Sequence, residues 1–227
     1  MRGILQFQHY FAPRLEACRA APIGDLMSAI ACAEIDDGNG GKRQLEMAEM
    51  LSIVQQLLVA GNETTTKALT EGIRLLAENP EEWRKLKADP AGRAGIVTEE
   101  VLRLATPTQG MFRVVTADTN ISGTDVAKGS LLVLVYSAAN RDRTVFGDEP
   151  DSFDPDRAAL KEHLAFGKGI HFCIGAPLSR LEMQVAFELL ATRVDQFELL
   201  PTNDFEYHPS FVLRGLKRLD VRVSLST

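Results

Sequence analysis

Between Gln44 and about Glu78 the chain runs without a proline, and its apolar residues return at helical intervals. Met47, Met50, Leu51, Val54, Leu57, Leu58, Gly61, Thr65, Ala68 and Leu69 follow the three-four spacing of one helix face. Ile53, Val59 and Ala60 fill other faces, so the spacing predicts one long helix whose middle is buried nearly all round. A helix of that kind needs neighbours on several sides, which points to a mainly helical fold.

The rest of the chain fits such a fold with a minor β component. Residues 5 to 34 read as two helices broken near Pro22, with Asp25 as a cap. Asp36-Asp37-Gly38-Asn39-Gly40-Gly41 is rich in turn-forming residues and reads as a loop. Asn79-Pro80-Glu81-Glu82 supplies a cap, a proline and first-turn acids for a further helix, and another spans about Gly95 to Ala105, ahead of Pro107. Residues 112 to 137 alternate and hold two turn signals, Thr119-Asn120 and Lys128-Gly129, which predicts a small antiparallel sheet. The tail from Phe211 to Ser226 reads as strands. The class expected is mainly α with a small antiparallel β component, and no linker divides residues 1–227 into separate domains.

Composition narrows the function. The formal net charge of -6 over 227 residues argues against nucleic acid as the main partner, because affinity for phosphates comes largely from Lys and Arg. Three widely spaced cysteines, Cys18, Cys32 and Cys173, make neither a disulfide framework nor a paired zinc motif, which suits a reducing cytoplasm. The first residues lack an apolar core long enough for a signal peptide or a membrane span, and read as the middle of a helix.

Three places carry unusual chemistry. In the long helix stands Ala60-Gly61-Asn62-Glu63-Thr64-Thr65-Thr66, where a glycine, a carboxylate and three β-branched hydroxyls are poor choices for a buried interior. Thr64 could bond back to the Ala60 carbonyl and open the helix locally, or the stretch could be a weak spot with surface threonines. Glu100 and Arg103 lie three apart on one helix face, an arrangement that alone describes a solvated pair. Third, Phe166-Gly-Lys-Gly-Ile-His-Phe-Cys-Ile-Gly175 sets Cys173 among glycines at 167, 169 and 175, directly before a helix opened by Ala176-Pro177. Unpaired N–H groups and the dipole at such a helix start favour negative charge on sulfur, so Cys173 suits a nucleophile or a metal ligand better than a packing role.

In this order the three places resemble the cytochrome P-450 family of haem-thiolate monooxygenases, its soluble bacterial branch in particular. The cysteine loop matches the pattern Phe-x-x-Gly-x-x-x-Cys-x-Gly at Phe166, Gly169, Cys173 and Gly175. AGNET, EEVLR, FDPDR and LSR flank it in the family's order, and the likeness reaches RGLKRLDVRV near the end. Only the C-terminal, haem-binding half of the family pattern is matched. The other half would carry the helices across the haem, a further propionate contact and most of the substrate lid.

The resemblance implies roles. Cys173 would be the thiolate ligand of haem b, and Glu63 and Thr64 would deliver protons to iron-bound oxygen. Ala60 and Gly61 would leave room above the iron for O₂ and substrate. Arg113 and His171 would pair with haem propionates, and Glu100, Arg103 and Arg157 would form a structural triad behind the cysteine loop. Thr108, Gln109, Gly110 and Met111, with Val212 and Leu213, would face a small organic substrate. A ferredoxin-type electron donor would meet the face near Lys168 and Arg180. Ser179 departs from the family's usual alanine before the arginine. Two other readings keep these residues: a haem-binding or interaction fragment without activity, and a thiol or metal site built on His171 and Cys173. The second lacks the further ligands zinc needs.

Overall fold

The computed structural model describes residues 2–226, and its contacts divide the chain into two units, residues 1–62 and 63–227. In the first, α1 (Arg2–Ala20) continues through Pro13, and α2 (Leu26–Ala31) is capped by Asp25, whose Oδ1 accepts the Ser28 N–H at 2.8 Å. The turn-rich stretch expected as a loop is the bend of a hairpin, β1 (Glu34–Asp36) against β2 (Lys42–Gln44). The helix expected from Gln44 begins at Met47 and runs to Glu78 (α3), giving its N-terminal half to the first unit and its C-terminal half to the second. Leu15, Ile30, Ala31, Leu45, Met50 and Val54 form the first core. Arg19 ties the edges of this core together, with Nε donating to the Ala31 carbonyl at 2.8 Å and Nη2 to that of Leu45 at 2.6 Å.

One expectation fails in α3. Its middle is not buried: Leu57, Leu58 and Val59 are 40, 55 and 59% exposed. Periodicity records what a side chain is, not what lies against it, and among the described residues no element buries those three.

In the second unit α4 (Pro80–Ala88) and α5 (Pro90–Ala105) follow the C-terminal half of α3. Asn79 stands at the N-cap position of α4, yet its amide donates back to the Leu75 carbonyl at 2.8 Å and caps nothing; Pro80 and the acids begin that helix unaided. The helix expected from about Gly95 starts earlier, because Asp89 accepts the Gly92 N–H and Pro90 takes the first turn. Every residue of α5 from Val97 to Ala105 is buried. β3 (Gly110–Val114) pairs antiparallel with β6 (Leu131–Val135), and between them β4 (Thr119–Ile121) and β5 (Thr124–Val126) make a hairpin. Thr119 and Asn120 lie within β4; the turn is Ser122-Gly123, both at positive φ, as primed hairpin turns require. Gly129 does mark the second turn.

Two short helices, α6 (Tyr136–Ala139) and α7 (Arg143–Phe146), precede the coil that carries the cysteine loop. α8 (Ala176–Arg193) then packs on α5, and Ala94, Val97, Val101, Met183 and Phe187 form the centre of this core. The tail is less strand-rich than its sequence suggests. β8 (Val221–Leu225) pairs with β7 (Val194–Leu199), while residues 211–220 contribute only isolated bridges.

Candidate active site

The cysteine loop is shaped by backbone before side chains. Gly167 and Gly169 have φ of +68° and +75°, a region in which an L side chain would be strained. Gly175 is at ordinary helical angles, so its lack of a side chain is not demanded by conformation. The Cys173 N–H donates to the Phe166 carbonyl at 3.0 Å, closing the loop directly ahead of α8. Cys173 is a free, exposed thiol, and Ile170, Phe172 and Ile174 around it are 97, 50 and 91% exposed. Cys32 is exposed at the end of α2, and Cys18 is half-buried, so the apolar helical sequence around each does not bury Cys32.

Glu100, Arg103 and Arg157 come together. The Arg103 guanidinium grips Glu100 with two bonds of 2.7 Å, and both side chains are fully buried. Arg103 Nη1 also donates to the carbonyls of Asn140 at 2.8 Å and Pro150 at 2.6 Å, so one helix residue organises the coil before the loop. Arg157 lies farther from Glu100, at 3.6 Å, and spends its guanidinium on the Phe146, Glu149 and Ser152 carbonyls. The pair that alone would read as solvated is a buried clamp.

The other expected residues are more scattered. α3 passes unbroken through residues 60–66, so no opening of the helix stands at Thr64. Glu63 forms an ion pair with Lys67 at 2.6 Å, which holds its carboxyl below the usual range. Thr65 Oγ1 meets Ser179 Oγ at 3.2 Å, giving the departure at position 179 a partner that alanine could not offer. Arg113 is half-buried on β3 and donates to the Phe112 carbonyl at 2.8 Å, while His171 is exposed. Thr108 bridges to Leu213, and the Gln109 N–H donates to the Val212 carbonyl at 2.7 Å, so the two segments expected to face substrate are joined. Gly110 lies where a side chain would strike the Leu134 carbonyl oxygen, and Met111 is 45% exposed.

Sequence reasoning missed one cluster. Glu99, beside Glu100 on α5, accepts from Arg180 Nε at 2.6 Å and Nη2 at 3.0 Å, and from His163 Nε2 at 2.9 Å. Burial opposes the charge on Glu99, but the bonds from His163 and Arg180 prevail and hold its carboxyl at about 2. These three residues are far apart in sequence and form no local motif; the only visible signal was the arginine of LSR.

Among the described residues no group of three or more His, Cys, Asp or Glu is placed to hold a metal ion, so a multidentate zinc site is not built around Cys173 and His171. A lone exposed sulfur on an apolar loop instead suits a ligand that carries its own metal. Comparison with known proteins gives the family. The cytochrome P450 family model matches residues 96–218, and the chain belongs to that family. It is 38% identical over 216 residues to cytochrome P450 109 of Bacillus spizizenii, a match covering 95% of this chain and 51% of that protein. Linalool 8-monooxygenase of Pseudomonas putida is 36% identical over the same shares. The structure of cytochrome P450 CYP109Q5 from Chondromyces apiculatus superposes with a TM-score of 0.89 at 37% identity, covering 99% of this chain and 56% of that one. The chain thus spans about half the length of the curated relatives it matches. No helix among the described residues is long and apolar enough to cross a membrane.

Proposed function

We propose that this chain is the haem-binding half of a monooxygenase, in which Cys173 ligates haem b and one atom of O₂ is inserted into a small organic substrate. A single observation carries the reading: a free thiol in a positive-φ glycine loop, closed by its own N–H onto Phe166 and set at the start of α8. The fit to a flat apolar group is supported by the open side chains of Ile170, Phe172 and Ile174, and by Gly169, where an added Cβ would meet nothing within 4 Å. Haem bound through a thiolate supplies activation of O₂, with electron density from sulfur favouring O–O cleavage.

Each protein group then has a task. Arg113 and His171 offer donors to the propionates, as charge-assisted bonds to carboxylates require. Glu63 and Thr64 relay protons from solvent, with the half-exposed Glu63 carboxylate in reach of water while paired with Lys67. Ala60 and Gly61 keep side-chain bulk small beside them. Glu100, Arg103 and Arg157 hold the coil that leads into the loop, while Thr108–Met111, Val212 and Leu213 bound the substrate. Electrons come from a ferredoxin-type donor in the cytoplasm, drawn by Lys168 and Arg180.

The test is a spectrum. Haem added to the chain, reduced and exposed to carbon monoxide, should give the strongly red-shifted Soret band of thiolate ligation. Cys173→Ala should abolish it, whereas Cys18→Ala and Cys32→Ala should leave it intact. Loss of the band in Cys18→Ala with Cys173 in place would refute the assignment.

A further inference from the structure

Glu99 joins the two ends of the cysteine loop. His163 lies where the loop begins, and its Nδ1 accepts the Ala165 N–H at 3.2 Å, leaving Nε2 as the ring's donor to Glu99. Arg180 lies where the loop ends, on the first turns of α8, and grips the same carboxylate with two nitrogens. Its guanidinium also stacks over the Phe166 ring at 4.6 Å, and the Phe166 carbonyl is the acceptor for the Cys173 N–H.

We infer that Glu99, His163 and Arg180 are positioning residues that fasten the cysteine loop at both ends, and that Arg180, stacked on the ring of Phe166 whose carbonyl receives the Cys173 N–H, holds a fixed positive charge against that loop. For its effect on haem the inference rests on the ligation proposed above; the fastening itself does not. An exposed ion pair would contribute little, since solvent screens it and its side chains must be ordered. This one differs: the Glu99 and His163 side chains are 10% and 1% exposed, and every bond converges on one carboxylate. Arg180 is charged more firmly than usual, chiefly through its bond to Glu99, with the Cys173 sulfur adding to the effect. A lysine could supply the charge but not the fork that holds two oxygens and a ring face together.

The experiment compares the 227-residue chain with Arg180→Gln, Arg180→Lys, Glu99→Gln and the double variant Glu99→Gln/Arg180→Gln. Amide hydrogen exchange is measured without haem, and the reduction potential with it. Arg180→Gln and Glu99→Gln should each speed exchange at Ala165 and Cys173 at least tenfold, leave Val101 and Phe187 unchanged, and give no further gain when combined. Arg180→Lys should match Arg180→Gln in exchange but hold the potential near that of the unmodified chain, whereas Arg180→Gln should lower it. Unchanged loop exchange in Arg180→Gln, or equal loosening of the α5–α8 core, would overturn the fastening. Should Glu99→Gln fail to fold, the two Arg180 variants decide, because that side chain is 31% exposed and lies at the edge of the core. If the unmodified chain shows no thiolate band, the proposed function falls, and loop exchange still decides the fastening.

Discussion

Glu99 and Glu100 are adjacent on α5, yet their carboxylates serve different segments of the chain. Glu100 accepts both Arg103 bonds at 2.7 Å and the Asp154 N–H at 3.0 Å, so it organises the coil upstream of the loop. Glu99 accepts from His163 and Arg180 and holds the loop's own ends. Adjacent helix positions are separated by a wide angle, and here that angle sends two buried charges to two tasks.

Removing one partner of the inner clamp should be costly. Arg103→Met leaves the Glu100 carboxylate fully buried with its two-bond partner gone and only Arg157, 3.6 Å away, as a cation, and should destabilise the second unit by about 3–5 kcal/mol. Denaturant titration followed by the fluorescence of Trp83, the only tryptophan, reads that unit directly, since its ring packs on Phe197 in the same core. A loss below about 1 kcal/mol would mean the clamp is dispensable for folding.

Stability should also depend on acid through Glu99. Its folded value near 2 lies below the ordinary glutamate value of about 4.5, so the unfolded chain takes up the proton first as pH falls. The contribution of Glu99 is therefore complete above about pH 4.5 and fades as pH drops toward 2. The stability gap between the unmodified chain and Glu99→Gln should narrow across that window in denaturation curves. A constant gap would show that the pairing does not depend on the carboxylate's charge.

Gly72 should resist replacement. Alanine is the better helix former, by about 1 kcal/mol, and would normally stabilise an interior helix position. Here an added Cβ would stand 2.6 Å from the edge of the Phe187 ring and 3.1 Å from Val101 Cγ1, and Phe187 is fully buried. Overpacking should win, with Gly72→Ala costing about 1–3 kcal/mol in the same titration. A stabilised variant would mean that the α3–α8 contact has slack.

The chain should also associate. Leu57, Leu58 and Val59 on α3 are open, as are Leu178, Leu181, Val185 and Leu189 at helical spacing on α8. Exposed apolar surface of this kind favours contact between molecules. Light scattering should rise with concentration, and Leu181→Glu with Leu189→Glu should reduce it. A clean monomer at high concentration would contradict this.

How much was legible in the sequence depended on whether the signal was local. The cysteine loop, the start of α8 and the Asp25 cap are written in consecutive residues, and the structure has them where expected. Glu99, His163 and Arg180 meet only through the fold, and no spacing announces them. β7 escaped because Val194 follows α8 without a glycine or proline to mark the change. Asn120 looked like a turn residue, but its side chain accepts the Gly123 N–H from within β4, supporting the turn from the strand.

Gly215 has a bearing on protein engineering. A Cβ there would stand 2.6 Å from Cδ and 2.7 Å from Cε of Lys67, the lysine that pairs with Glu63. Lys67 Cγ is nearer still and sits at the base of a side chain only 10% exposed, so a substitution at 215 cannot be relieved by the lysine's tip alone. It would drive the ammonium off Glu63 and let that carboxyl return toward its ordinary value. A library that randomises the segment around Val212 and Leu213, proposed to bound the substrate, would thereby alter the proposed proton relay unnoticed, unless position 215 is held as glycine.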